Sequence, residues 1–427
     1  MMRKVGILLE CQIDIDDMGI VEKGNPGVGG SEYLLLQLFY YLSQDNEYNC
    51  KLYGVGCNIN NVNLVSVQSD IEAIKKATED EVDVFIFIPK KRKSDFYKEI
   101  QCLKLKSIAW VHNYISHDVI KLLRDCEMVK RVIFVGKQHY DCYIDDELIK
   151  KSDYIYNMLS NEKHEHIPAE NKNPIVTYVG ALIPTKGFHK LAKVWKNVLK
   201  KVPDAKLQVI GNGRLYNKNA VLGKYGIAEA KYERKIFKYL SDSNGKLLDS
   251  VKFFGRLGNE KIVLIEKTKV GVANPTGISE TFCLSAVEYK TYGIPVVTYK
   301  GYGLLDTVRN NVDGILIKSN SQLQKAIISL LVDNKKNSEY GRNGITSGFV
   351  DFLPNKIIAQ WKEVIADVCN SVQVQIKVPT NYFFDDLKWL KIINYKLKRI
   401  LHIKLKSVAY SVSLLKVFIK KILKRSS

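Results

Sequence analysis

Short apolar runs alternate along this chain with longer polar or amphipathic stretches. The short runs predict buried strands, and the stretches with apolar residues every three or four positions predict helices between them. This alternation predicts an α/β fold with parallel sheets covered by helices on both faces. Strands are predicted at residues 5–9, 51–55, 82–88, 107–111, 131–135, 175–179, 206–210, 251–254, 270–273, 294–298 and 315–317.

The predicted strands fall into two groups, separated by a polar segment at 161–174 that contains two prolines. Such a segment predicts an interdomain linker. We therefore divide the chain into domains at 1–170 and 171–351, a helix at 352–378 that returns to the first domain, and a tail at 379–427. His164, Glu165 and His166 lie in the linker, but adjacent residues lack the spacing of metal ligands on one helical face.

The stretch at 270–298 has the order strand, Pro/Gly loop, helix, strand. Its loop follows the carboxyl end of a strand, where open α/β sheets bind ligands. Glu280 and Glu288 are separated by seven residues, so a helix over 280–292 puts both carboxylates near one face, where they suit the hydroxyls of a sugar. An isolated pair of this kind is more often a solvated helix face.

The start of the same predicted helix is a candidate anion site. The backbone amides of Thr281, Phe282 and Cys283 would point out of the helix there, and a helix N-terminus favours negative charge. The loop therefore predicts a site that accepts sugar hydroxyls and phosphate together.

Residues 274–297, NPTGISETFCLSAVEYKTYGIPVV, resemble the signature of retaining glycosyltransferases of the large family 4 type. The E-x7-E motif of that family falls on Glu280 and Glu288. The resemblance implies the GT-B fold, with two facing Rossmann-like domains, and a nucleotide-diphosphate-sugar donor. It also implies that Glu280 binds hydroxyls of the donor sugar, that Glu288 binds the ribose, and that neither a metal nor another cofactor is required.

The resemblance extends to other loops. It implies that Gly29 and Gly30 face the donor phosphates and the acceptor, that His112 is the active-site histidine, and that Arg256 lies near the nucleobase. A glycine-rich turn taken alone is more often only a turn, and a lone histidine beside a tryptophan is usually structural.

One loop, Gly180 to Gly187, departs from the family pattern. The family has Gly-Arg and then, after four intervening residues, a lysine, and the two cations hold the diphosphate. Gly180 and Lys186 match, but Ala181 replaces the arginine. Because a bidentate cation is lost, this departure weakens donor affinity or activity, and Arg214 or Arg256 is the candidate replacement.

The overall composition changes the picture in three ways. A net charge of +20 indicates an acidic partner such as a phosphorylated substrate, anionic lipid or nucleic acid. The eight cysteines are scattered singly, without a C-x-x-C pair, which indicates reduced thiols. No signal-peptide pattern opens the sequence and no apolar run is long enough to span a bilayer, so a cytoplasmic protein is expected.

The tail combines positive charge with helical apolar spacing. No acidic residue occurs from Leu387 to Arg425. This composition is typical of a helix that lies in the plane of an anionic membrane. Two alternatives remain open: helices packed on the first domain with a solvated basic face, and nucleic-acid binding, which no reading motif accompanies.

Together these features predict a cytoplasmic, peripherally membrane-bound glycosyltransferase. It would move a sugar, with retention, from a nucleotide-diphosphate sugar to a glycan or lipid-linked acceptor. Abundant Lys, Ile, Asn and Tyr indicate an AT-rich bacterial coding sequence, and surface polysaccharide synthesis is the expected pathway class. The alternative, motivated by Ala181, is a catalytically weak relative that serves as a binding or scaffold partner.

Overall fold

The computed structural model describes residues 2–89, 92–159, 168–214, 220–377, 387–401, 403 and 405–423. Most of the predicted linker, including His164, Glu165 and His166, lies outside these residues. Within the described ranges the strands form two sheets in which every paired neighbour is parallel.

The first sheet has the strand order β3-β2-β1-β4-β5-β6-β7. Its strands are β1 (Arg3–Ile15), β2 (Tyr48–Ile59), β3 (Leu64–Val67), β4 (Val84–Phe87), β5 (Ser107–Val111), β6 (Val129–Phe134) and β7 (Ser152–Tyr154). The central strands β4 and β5 are fully buried along their length, as expected for a parallel sheet covered on both faces.

The second sheet has the strand order β10-β9-β8-β11-β12-β13. Its strands are β8 (Ile175–Val179), β9 (Lys206–Ile210), β10 (Val251–Gly255), β11 (Val270–Val272), β12 (Val296–Tyr299) and β13 (Gly314–Ile317). In both sheets the order reverses once, between β1 and β4 and between β8 and β11. Such a switch point is where doubly wound sheets bind ligands.

Helices connect most of these strands. They are α1 (Ile20–Lys23), α2 (Gly30–Ser43), α3 (Asp70–Glu79), α4 (Ser94–Cys102), α5 (His117–Asp125), α6 (Lys137–Asp141), α7 (Phe188–Leu199), α8 (Ala230–Leu240), α9 (Ile262–Glu266), α10 (Leu284–Thr291), α11 (Leu304–Thr307), α12 (Asn320–Val332), α13 (Asn334–Phe352), α14 (Pro354–Cys369), α15 (Lys388–Ile400) and α16 (Val408–Leu423). No helix in the described part of the chain is both long enough and apolar enough to cross a bilayer.

The predicted α/β fold with two parallel sheets is confirmed. Strands β5, β8 and β9 have the predicted bounds, because each is an apolar run with polar residues or glycine at its ends. The sequence interpretation missed β3 and β7, which pair at the two edges of the first sheet and are only four and three residues long. Strand β1 continues past its apolar run to Ile15 by pairing along β2.

Contacts divide the chain into two compact units. The first contains Met1–Met18, Leu38–Tyr156 and Ile358–Ser427, and the second contains Gly19–Gln37 and Asn157–Ile357. This grouping assigns the glycine-rich loop to the second unit, whereas the sequence division assigned it to the first domain.

Helix α14 carries the chain back into the first unit. Trp361 packs edge-on against Trp110 with ring centroids 4.7 Å apart, and Lys362 forms an ion pair with Asp45. Both tryptophans are completely buried. The contacts therefore make the second half of α14 part of the core of the first unit.

Candidate active site

Two loops meet at the switch point of the second sheet. Strands β8 and β11 pair directly, and the loop after β8 carries Lys186 while the loop after β11 carries Glu280. The Nζ atom of Lys186 lies 2.7 Å from Oε2 of Glu280, although the two residues are 94 positions apart. The amide of Asn274 donates to the same oxygen at 2.8 Å. The structure therefore brings together the two residues that the sequence marked as central.

Close packing between the two loops fixes this contact. Gly187 has φ of 75°, and a methyl group on it would lie 2.6 Å from Cγ2 of Thr276. The hydroxyl of Thr276 donates to the carbonyl of Thr185 at 2.5 Å. Only glycine allows this left-handed backbone and this approach without strain. Lys186, which immediately precedes Gly187, is thereby held against the loop that carries Glu280.

The predicted start of the helix is wrong. Helix α10 begins at Leu284, and Cys283 before it has φ of 67°, so residues 280–283 form a loop. The amide of Gly303 donates to the carbonyl of Glu280 at 2.9 Å, and a methyl group on Gly303 would lie 2.1 Å from the carbonyl oxygen of Thr281. This tertiary contact holds the backbone outside the helix. Glu280 and Glu288 therefore do not share a helical face.

The amides of Thr281, Phe282 and Cys283 consequently do not open the helix as predicted, and the side chains of Phe282 and Cys283 are buried. The ring of Phe282 packs edge-on against Phe352 at 5.3 Å. Burial raises the pKa of the Cys283 thiol to about 12, with the Glu280 charge adding to the effect, so the thiol stays protonated at neutral pH. These side chains anchor the loop.

Glu288 pairs with a lysine that the sequence interpretation missed. Oε1 of Glu288 lies 2.7 Å from Nζ of Lys261, which ends the single 3₁₀ turn Asn259–Lys261. Both side chains are largely withdrawn from solvent. The two residues lie on different elements, so no sequence motif contains both, and only the tertiary structure brings them into contact. The pair fixes the orientation of the Glu288 carboxylate.

The glycine-rich loop packs within the second unit, against the loop after β10. A methyl group on Gly27 would lie 3.8 Å from Nη2 of Arg256, and one on Gly24 would lie 2.6 Å from Oδ1 of Asn259. Arg256 itself is exposed. The loop therefore brings its backbone close to the guanidinium that the sequence marked for donor binding.

Gly29 and Gly30 lie where this loop enters α2. A methyl group on Gly29 would lie 2.2 Å from Oε2 of Glu32, and one on Gly30 would lie 3.5 Å from Cδ1 of Leu284 at the start of α10. Gly30 is thus the glycine that contacts the helix after the Glu280 loop.

Ala181, in the position of the family's arginine, is buried. The amide of Gly180 donates to the carbonyl of Ile210, and the hydroxyl of Tyr178 donates to the carbonyl of Lys186 at 2.9 Å. Arg214 donates to the carbonyl of Ala220 at 3.2 Å. The backbone of the loop is thus well anchored. The buried methyl side chain of Ala181 supplies no cation where the family has an arginine.

His112 lies in the first unit, immediately after β5. Its ring centroid is 4.5 Å from that of Trp110, and the residue is buried. Nearby His139 is completely buried between aromatic rings, including Phe134 at 4.9 Å. Burial, assisted by the charge of His112, lowers the pKa of His139 to about 3, so His139 is neutral at physiological pH.

Within the described residues, no group of three or more His, Cys, Asp or Glu side chains is arranged to hold a metal ion. The charged groups at the switch point are Lys186 and Glu280, with Lys261 and Glu288 on the adjoining elements. Such a site can bind a diphosphate through the lysines and hydroxyl groups through the carboxylates.

Residues 160–347 match the family described as "Glycosyl transferases group 1". This segment is a glycosyl transferases group 1 domain. It contains both loops of the switch point, the Lys186–Glu280 pair and Glu288. The family assignment thus rests on the same part of the chain as the predicted motif.

Two curated relatives have comparable sequences. An uncharacterized glycosyltransferase of Haemophilus influenzae is 23% identical over 271 residues, which are 62% of this chain and 70% of that protein. The capsular polysaccharide biosynthesis glycosyltransferase CapM of Staphylococcus aureus is 24% identical over 213 residues, 49% of this chain and 48% of CapM. Both relatives are glycosyltransferases, and one of them is a polysaccharide biosynthesis enzyme. The similarity therefore supports a transferase.

A solved structure matches the fold. The crystal structure of Anabaena HepE in complex with UDP covers 86% of this chain and 100% of that chain, with a TM-score of 0.63 and 16% identity. At this identity the match establishes the shared fold, which is the two-sheet architecture of GT-B glycosyltransferases.

Proposed function

We propose that this protein is a retaining glycosyltransferase that takes a sugar from a nucleotide-diphosphate donor. The observation that carries the proposal is the contact between Lys186 and Glu280 at the β8/β11 switch point. A diphosphate needs a cation and a sugar needs hydrogen-bond acceptors, and these two side chains supply both within one ion pair. The UDP bound to HepE, a protein of the same fold, supports a donor of this class.

In the proposed reaction the bond between the anomeric carbon and the β-phosphate oxygen breaks, and its electron pair goes to the diphosphate. The acceptor hydroxyl forms the new bond on the same face of the sugar and gives its proton to the departing phosphate oxygen. Negative charge therefore grows on the diphosphate in the transition state. Lys186 stabilises that charge electrostatically, and Glu280 binds hydroxyls of the transferred sugar. His112 is the proposed group that orients sugar or acceptor.

The ion pair also holds the two side chains in defined positions. Oε2 of Glu280 accepts hydrogen bonds from both the Lys186 ammonium and the Asn274 amide. With donor, Lys186 turns to the diphosphate while Glu280 turns to sugar hydroxyls. Donor binding thus replaces the contact between Lys186 and Glu280 by one contact of each side chain with the donor.

On the nucleoside side of the site, we propose that Glu288 binds the ribose hydroxyls and that Arg256 lies near the nucleobase. Arg256 also places positive charge beside the backbone of Gly27. We therefore propose that Arg256 helps to bind the diphosphate in place of the arginine that Ala181 replaces. The loop with Gly29 and Gly30 and the loop that begins at Gly180 give the backbone close access to the donor. No metal or other cofactor takes part in this scheme.

Replacing Lys261 by methionine is expected to weaken binding of a nucleoside diphosphate about tenfold, since a hydrogen bond to a charged group contributes about 1.5 kcal/mol. The reason is that Lys261 fixes the Glu288 carboxylate at 2.7 Å. The affinity for the matching 2′-deoxynucleotide should change much less. Calorimetric titration of both ligands measures the difference.

Lys267→Met is the matched control for that experiment, because Lys267 is an exposed lysine on the same unit. Equal loss of affinity for the ribose and deoxyribose ligands in Lys261→Met would contradict a role of the Lys261–Glu288 pair in ribose binding.

We propose a glycan or lipid-linked acceptor and a place in bacterial surface polysaccharide synthesis. The similarity to CapM, a capsular polysaccharide biosynthesis glycosyltransferase, supports this class of product. A lipid-linked acceptor lies at the inner face of the cell membrane, and the basic C-terminal helices support work at that surface. Nucleic acid is not the proposed partner.

The second candidate is a weakly active relative that serves as a binding partner, and buried Ala181 in place of an arginine favours it. Incubating the protein with a panel of nucleotide sugars, alone and with glycan acceptors, separates the two. The enzyme is expected to release nucleoside diphosphate, and NMR of the early product should give the donor's own anomeric configuration. Nucleotide binding without turnover across the panel would favour the second candidate.

A further inference from the structure

Helix α15 is attached to the first unit through the buried side chain of Ile392 and through three polar side chains. Nζ of Lys391 donates to the carbonyl of Cys142 at 2.8 Å, and Nδ2 of Asn394 donates to Oδ2 of Asp145 at 2.9 Å. Nζ of Lys398 donates to the carbonyl of Asp145 at 2.6 Å. Residues three and four positions apart lie on one side of a helix, so these three side chains define the face toward the unit.

The side of α15 that points to solvent is rich in apolar residues and also carries Lys396. It carries Trp389, Leu390, Ile393 and Ile400, which are 67%, 55%, 52% and 70% exposed. Most of the large apolar side chains of α15 are therefore exposed, whereas a surface helix of a globular protein normally turns its apolar stripe toward the core. An apolar surface of this kind marks an interaction site.

Asp145 holds this arrangement in place. The residue is buried, and its Oδ2 atom accepts hydrogen bonds from Asn394 in α15 and from the backbone amide of Val408, the first residue of α16, at 2.6 Å. The two C-terminal helices therefore share one carboxylate of the first unit. That link fixes which face of α15 is outward.

The charge around the apolar face identifies the partner. Exposed Lys396 and Arg399 lie on α15 and exposed Lys406 follows it, and no acidic residue occurs from Leu387 to Arg425. Such a surface is complementary to an anionic bilayer, where apolar side chains enter the head-group boundary and basic groups meet lipid phosphates. A second copy would present the same positive charge and be repelled.

We propose that the outward face of α15 is a bilayer-docking surface for anionic lipid, held in orientation by Asp145. This inference rests on the membrane as the proposed place of work and names the residues that contact it. Trp389, Leu390, Ile393 and Ile400 enter the interface, and Lys396, Arg399 and Lys406 contact lipid head groups.

Intrinsic fluorescence tests the proposal directly, because the sequence has four tryptophans and Trp110, Trp195 and Trp361 are completely buried. Vesicles of phosphatidylglycerol and phosphatidylcholine in equal parts are expected to shift the emission to shorter wavelength. Vesicles of phosphatidylcholine alone should give little shift, and Trp389→Phe should remove it. The same shift in Trp389→Phe, or no shift with anionic vesicles, would overturn the proposal.

Co-sedimentation with the same anionic vesicles is the second readout. Trp389→Ser/Ile393→Ser is expected to lower the vesicle partition coefficient at least about tenfold, from the apolar area withdrawn from the interface. The control Val332→Ser/Val350→Ser removes two exposed apolar residues elsewhere and should partition like the wild type. Equal partition of both double variants would overturn the proposal. So would sedimentation equilibrium without lipid that shows a dimer for the wild type and a monomer for Trp389→Ser/Ile393→Ser, because the face would then bind a second copy.

Nucleotide-sugar turnover in solution separates this proposal from the proposed function. Trp389→Ser/Ile393→Ser should retain turnover of a soluble donor without vesicles, since its residues lie outside the proposed site. Vesicle binding by a wild-type protein that turns over no donor would leave the docking surface standing and remove the enzyme. Donor turnover by a wild-type protein that does not bind vesicles would support the enzyme and overturn the docking surface.

Discussion

Replacing Lys186 by methionine is expected to lower nucleotide-sugar turnover by a factor on the order of 10²–10³, the range found when one preorganised electrostatic contact to a transition state is removed. The wild-type ammonium lies 2.7 Å from Glu280 at the switch point. In the proposed reaction the departing diphosphate gathers negative charge there. Methionine keeps the length of the side chain but removes the cation. Released nucleoside diphosphate, measured at saturating donor, gives the loss in kcat.

Lys193→Met is the control for this prediction. Lys193 is an exposed lysine on α7, close in sequence to Lys186, so its replacement makes the same change in net charge. Glu280→Gln should also lower turnover strongly, because an amide is a weaker acceptor for sugar hydroxyls. Turnover in Lys186→Met within a factor of about three of the wild type would contradict the assigned role.

Asp313→Asn is expected to destabilise the fold by about 3–5 kcal/mol, because it leaves the Lys290 ammonium buried without its charge partner. The two groups are 2.8 Å apart, and their side chains are 1% and 0% exposed. Ser347 donates to Asp313 at 2.8 Å, and Lys290 also donates to the carbonyl of Thr307. Urea denaturation measures the change in the free energy of unfolding.

Two comparisons make that prediction specific. Asp249→Asn breaks the exposed pair with Lys246 and should change stability little, because water screens it. The double variant Lys290→Met/Asp313→Asn removes both buried charges and should recover much of the loss. A double variant as unstable as the sum of the single variants would contradict the explanation by an uncompensated charge.

The sequence predicted those parts of the fold that local pattern determines. Strands β8 and β9 are apolar runs with clear ends, and the βαβ order around Glu280 follows from the Pro/Gly loop between two such runs. The resemblance to the glycosyltransferase family implied that Lys186 and Glu280 share a donor site, and in the parallel sheet the loops after β8 and β11 do lie at one edge.

The sequence did not predict features that depend on tertiary contacts. Helix α10 begins four residues later than its apolar periodicity predicts, because Gly303 binds the backbone of Glu280. The Lys261–Glu288 pair joins two elements with no shared motif. Apolar spacing predicted helices in the tail, but the face of α15 that contacts the first unit depends on Asp145, far away in the sequence.

Equilibrium binding of nucleoside diphosphates to the full chain tests the central claim most directly. Titration calorimetry with UDP, GDP and ADP is expected to give saturable one-site binding for at least one of them. Lys186→Met should weaken that binding at least about tenfold, the effect of losing one charge-assisted contact, while Lys193→Met should leave it unchanged. No binding of any of the three to the wild type, or equal affinity in Lys186→Met, would contradict a donor site at the β8/β11 switch point.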